Sequence, residues 1–157
     1  MTKLGLALFL AAIVAGCGGS GSSTGPTGSG SITGYAGTWV GSMSESGGAM
    51  MGSGTMGGMM TGQATWQMTQ TGANVTGSMD MSGFRGTGQM AITGTISGQT
   101  MTFTMNIPAG GMPDAGCVAK GNGTAQMNGN TMTGTYSGSN TCSGPFSNGQ
   151  ITLSRKP

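Results

Sequence analysis

The sequence predicts an all-β fold: a single antiparallel meander of about eight strands closed into a small barrel. Three observations carry this. Apolar and polar residues alternate with period two in short blocks, as in Met101-Thr-Phe103-Thr-Met105-Asn-Ile107, where Met, Phe, Met and Ile share one face. The blocks are separated by tight turn chemistry such as Ser97-Gly98 and Asn128-Gly129-Asn130. Glycine supplies 35 of 157 residues with no collagen-like three-residue period. Glycine so dispersed disfavours helix, because each interior Gly costs about 1 kcal/mol relative to Ala. Closure into a barrel removes the exposed edges that a short-stranded meander would otherwise carry.

The elements follow in order. Strands are expected near 36–43, 62–70, 73–81, 87–97, 99–107, 117–127, 131–140 and 148–155. The first opens on Gly37-Thr38-Trp39, and the second carries Ala64-Thr-Trp66-Gln-Met68 in strict alternation. Thr71-Gly72-Ala73-Asn74 turns the chain into the third. Thr-Gly units mark the third, fourth and seventh strands, in Val75-Thr-Gly77-Ser, Ile92-Thr-Gly94-Thr and Met132-Thr-Gly134-Thr-Tyr136. Their irregular spacing suits hairpins of one barrel rather than a solenoid. Glycine within strands suits the bends that a small barrel needs. The last strand, Ile151-Thr-Leu153, follows Ser147-Asn148-Gly149, read as a turn. Residues 43–61 form a Met/Gly-rich loop between the first two strands.

Composition narrows function. Beyond residue 16 the formal charge is near +1, from Arg85, Lys120, Arg155 and Lys156 against Glu45, Asp80 and Asp114. Nucleic acid is not an expected partner, since its binding rests on neutralising several phosphates. No enzyme is expected either. The chain has no His, and its three carboxylates fall on separate segments, whereas acid–base catalysis needs a positioned pair with displaced pKa values.

The N-terminus reads as an export signal. Lys3 gives a positive start, Leu4 to Val14 an apolar run of about eleven residues, and Ala15-Gly16 the small residues before a cleavage point. Such a run is short of the ~20 residues needed to span a bilayer as a helix. Val14-Ala15-Gly16-Cys17 resembles the lipobox of bacterial lipoproteins, the alternative being an ordinary secretory signal followed by a cysteine. The resemblance implies that residues 1–16 are removed and that Cys17 carries a diacylglycerol as the mature N-terminus. Gly18, in place of Asp, implies delivery to the outer membrane. Residues 17–34 then form a Gly/Ser-rich tether with a reach of roughly 20–25 Å. The domain proper is 35–157.

Cys117 and Cys142 remain as an even pair in an oxidising compartment, where a disulfide is the default. Free thiols or a metal pair are the alternatives, with no His to complete a zinc site. If residues pair across a turn with indices summing to 259, Met127 faces Met132, Gly123 faces Tyr136 and Cys117 faces Cys142 around Gly129-Asn130.

Gly37-x-Trp39 at the first strand and Arg155 at the last resemble the calycin arrangement of lipocalins, fatty-acid-binding proteins and avidins. That resemblance implies that Trp39 closes one barrel end while Arg155 packs across its ring. It also implies a small apolar ligand, the other expectation being a structural or interaction module with an envelope-protein partner.

Methionine is the remaining feature. Six of the chain's 16 methionines, Met43, Met50, Met51, Met56, Met59 and Met60, fall within 43–61. Soft thioethers in the spacing Met56-x-x-Met59-Met60, with Met50 and Met51, are an alternative site for Cu(I) in three-coordinate geometry. The other uses of such a loop are an adaptable lid, an oxidant sink, or Met serving simply as a flexible core filler.

Overall fold

The computed structural model describes residues 34–48, 55–83, 88–110 and 116–157, with backbone alone for 48 and 55–57. The expected leader, Cys17 and nearly all of the tether lie outside the described residues, as do Met50 and Met51. Eight strands form one closed antiparallel barrel in chain order: β1 (Gly37–Gly48), β2 (Thr55–Thr71), β3 (Asn74–Ser82), β4 (Gly88–Ser97), β5 (Thr100–Ile107), β6 (Ala119–Asn128), β7 (Thr131–Asn140) and β8 (Gly144–Arg155). The circle closes where β1 pairs with β8, Gly41 facing Leu153 and Met43 facing Ile151.

One end is built from two-residue turns. Gly72-Ala73, Gly98-Gln99 and Gly129-Asn130 join β2 to β3, β4 to β5 and β6 to β7. In each, the glycine alone has positive φ, near +60°, the pattern of a type II′ turn whose twist matches that of the strands. At the other end the connections are longer, and the β6–β7 ladder runs out into the Cys117–Cys142 pair.

The core explains the glycine content. Inward residues run around the barrel as cross-strand rows in which a large side chain faces a glycine. One row reads Gly94, Phe103, Gly123, Tyr136, Gly149 across β4 to β8. The next reads Ile92, Met105, Gly121, Gly138, Phe146. A Cβ on Gly123 would lie 2.7 Å from the Phe103 ring, and one on Gly149 would lie 2.6 Å from Tyr136. Rings therefore lie across backbone, filling a narrow interior by alternating large and small. Across β1 to β4, Trp39, Trp66, Met79 and Met90 form a fully buried row. The outward positions are Thr, Ser, Asn and Gln, with cross-strand hydroxyl pairs such as Thr93–Thr104 at 2.7 Å.

Two expectations are corrected. Residues 43–61 are not one loop. β1 continues to Gly48 and β2 begins at Thr55, pairing Glu45 with Met60, Ser46 with Met59 and Gly48 with Thr55. Alternation simply continues through Met43 and Glu45, and Ser, Gly and Met are adequate strand residues once a neighbour supplies the hydrogen bonds. Ser147-Asn148-Gly149 is also not a turn. It lies inside β8 as a bulge, where the register slips against both β1 and β7. Asn148 takes the left-handed conformation, φ 53°, and is the only non-glycine to do so among the described residues. Its amide donates to Ser46 Oγ at 3.0 Å, and that hydroxyl donates to Ser147 O at 3.1 Å.

Candidate functional site

The turn end is closed by Trp39, Arg155 and Tyr35. The Arg155 guanidinium carbon stands 4.3 Å from the centre of the Trp39 ring. Its two terminal nitrogens donate to the carbonyls of Ala36 and Gly34, and one approaches Met127 Sδ at 3.7 Å. Burial pulls the Arg155 pKa down from its ordinary value, which leaves it a cation at any physiological pH. The Trp39 indole donates to Tyr35 O at 2.9 Å, and the Tyr35 hydroxyl lies within 2.7 and 3.0 Å of the carbonyls of Gln99 and Ala125. Gly37 is in the left-handed region, φ 120°, with the Arg155 guanidinium 2.8 Å from where a Cβ would sit. Gly37, Trp39 and Arg155 thus meet as one structural plug, and Tyr35, which the sequence does not single out, completes it.

The loop end holds the buried polar groups. Glu45, the only glutamate in the chain, is fully buried. Tyr136 Oη donates to Glu45 Oε2 at 3.1 Å. The ring reaches it by lying across Gly149, beside the Asn148 bulge. Burial first, then the charge of Glu45 and the hydrogen bond to it, push the Tyr136 phenol far above its ordinary value. The pair is therefore a neutral phenol donating to a buried carboxyl group, an arrangement strengthened by low local dielectric.

Beyond it the Cys117–Cys142 disulfide joins the two chain segments, Cα to Cα 5.6 Å. It extends the β6–β7 ladder by the same index sum: Val118 and Thr141 exchange hydrogen bonds at 2.9 and 3.0 Å one step before it. Asn140, also buried, accepts from Cys142 N at 2.8 Å and shapes the turn.

The methionines of the first hairpin do not share one face. Met43 is core, Met60 is partly buried against the core, and Met59 is 66% exposed. Met59 and Met60 are consecutive on a strand, so their sulfurs point to opposite sides. No group of three or more His, Cys, Asp or Glu that could hold a metal occurs among the described residues. Among the described residues, one open furrow on the outer wall is lined by Thr102, Asn122, Thr124, Thr135 and Gln150, with Gly123, Tyr136 and Gly149 at its floor.

Glu45 and Tyr136 escape sequence reasoning because a lone glutamate is ordinarily a surface residue. The available signal was parity: residues 39, 41, 43 and 45 share one face of a strand, had the strand been carried that far. No family model, curated protein or solved structure matches this chain.

Proposed function

We propose that the chain is a lipid-anchored outer-membrane lipoprotein, with a diacylglycerol on Cys17, a tether of residues 17–34, and a calycin-like barrel used as a structural or interaction module. The export signal and the Val-Ala-Gly-Cys sequence support the anchor. Eight strands in meander order with Arg155 over Trp39 support the calycin likeness. The observation that favours an interaction module over a carrier of apolar ligands is the interior itself. Phe103, Tyr136 and Phe146 lie across glycines of neighbouring strands, and Trp39, Trp66, Met79, Met90, Met101 and Met132 are fully buried. A barrel packed in this way works through its outer wall and its loops.

The test is intact mass spectrometry of the full chain taken from its own membrane. The expected result is a diacylglycerol mass on Cys17, lost in Cys17→Ala, with no small apolar molecule retained by the barrel under native conditions. An unlipidated Cys17 overturns the anchor. A stoichiometric apolar ligand overturns the interaction-module reading.

A further inference from the structure

The second strand outruns its described pairing with β3. β2 pairs with β1 from Gly37–Met68 to Gly48–Thr55, with a register slip that leaves residues 57 and 58 without a β1 partner, but its pairing with β3 stops at Gln63–Ser82. There Gly83, φ 92°, turns the chain beside Gly62. Among the described residues, Thr55–Gly62 therefore pairs on one side only. These eight strand residues, with the slip among them, span about 25 Å of backbone edge. On the other side β1 pairs with β8 as far as Gly47–Phe146, across the register slip at the Asn148 bulge. The edge is the rim of a three-stranded flap, β8–β1–β2, rather than an isolated hairpin.

Strand edges are ordinarily protected by charge or proline. This one has neither, only the register slip at residues 57 and 58. No charged residue and no proline occurs between Glu45 and Asp80, and the most exposed large apolar side chain among the described residues, Met59, stands on this edge. The backbone fixes the chemistry of an occupant: its unpaired N–H and C=O groups take another extended strand. The lack of charge favours the same edge from another molecule. Two copies related by a two-fold axis pair antiparallel, each residue i facing j and j facing i, with no like charges opposed.

We propose that Thr55–Gly62 is a dimerisation edge, at which two copies of this chain add strand to strand across a two-fold axis. The exposed Met59 of each copy then packs beside the shared ladder. This does not depend on the lipid anchor, since the edge is a property of the barrel.

The experiment is sedimentation equilibrium of the full chain in a density-matched detergent, with amide hydrogen exchange read over Thr55–Gly62. A monomer–dimer equilibrium is expected, with these amides gaining protection as protein concentration rises. Met59→Lys and Thr61→Lys, which add charge to the edge, weaken dimerisation tenfold or more. Val40→Lys, on the outer wall of β1, leaves it unchanged; retained near-ultraviolet circular dichroism from Trp39 and Trp66 checks that each variant is folded. Three results overturn the proposal: a monomer at every concentration, a dimer insensitive to both edge lysines, or protection of these amides that is independent of concentration, which means the chain covers its own edge.

Discussion

The two ends of this barrel are shut by different chemistry. At the turn end, closure is local and non-covalent. Glycine-led turns return the strands tightly, and Tyr35, Trp39 and Arg155 bond chiefly to backbone carbonyls. At the loop end the connections are longer, from three residues between β7 and β8 to eleven between β5 and β6. A disulfide, a hydrogen-bonded bulge and the Glu45–Tyr136 pair replace tight turns there. Short connections need only the right residues in sequence. Long ones need contacts made across the fold.

Breaking each end in turn measures that difference. Trp39→Ala, which empties the turn end, is expected to cost about 3–5 kcal/mol, as for a large aromatic lost from a core. Chemical denaturation at fixed pH reads it. Arg155→Ala costs less, about 0.5–2 kcal/mol, because it removes a cation over a ring and leaves the ring in place.

At the loop end, replacing both Cys117 and Cys142 by Ser is expected to lower stability by about 3.5 kcal/mol, the chain-entropy value for a loop of 25 residues. Hydrogen exchange should show the loss as faster opening near Val118 and Thr141, with the turns at Gly72, Gly98 and Gly129 unaffected. Equal loosening of both ends would mean that they are not separate.

Gly149→Ala sharpens the comparison further. Its methyl would sit 2.6 Å from the Tyr136 ring, so about 1–3 kcal/mol is expected from overpacking. Tyr136→Phe leaves Glu45 without its phenol donor, at about 1–3 kcal/mol. In the double variant the two costs should be less than additive, since both act on one contact.

The smallest effect is a pH dependence. Burial raises the pKa of both Tyr35 and Tyr136 in the folded state. A phenol whose folded pKa exceeds its unfolded value, about 10, contributes stability below that pH. The contribution is lost as pH climbs above it. Tyrosinate absorbance should therefore appear only together with alkaline unfolding. Tyrosinate forming near pH 10 with the fold intact would contradict the burial of both rings.

What was legible in the sequence follows the same division. All eight strands and the three two-residue turns could be read from alternation and glycine placement. So could the β6–β7 register, because a hairpin's index sum carries it from Met127–Met132 outward to the cysteines. The first hairpin was obscured by composition: Gly, Ser and Met resemble a loop when no partner strand is visible. Asn148-Gly149 carried a correct signal for left-handed backbone, but one residue cannot say whether that conformation makes a turn or a bulge. Glu45 and Tyr136 are 91 positions apart, and only closure of β1 on β8 brings them together. Nor does the sequence show why glycine is so common. The cross-strand rows do in part: Phe103, Tyr136 and Phe146 each face a residue without a side chain.

That filled interior is the central claim, and the proton resonances of Gly149 and Gly123 test it most directly. With the Tyr136 and Phe103 rings lying across them, their Hα signals should be shifted upfield and show nuclear Overhauser contacts to those ring protons. Unshifted Hα signals without ring contacts would mean that the rings lie elsewhere, and that the barrel has room inside it for a ligand.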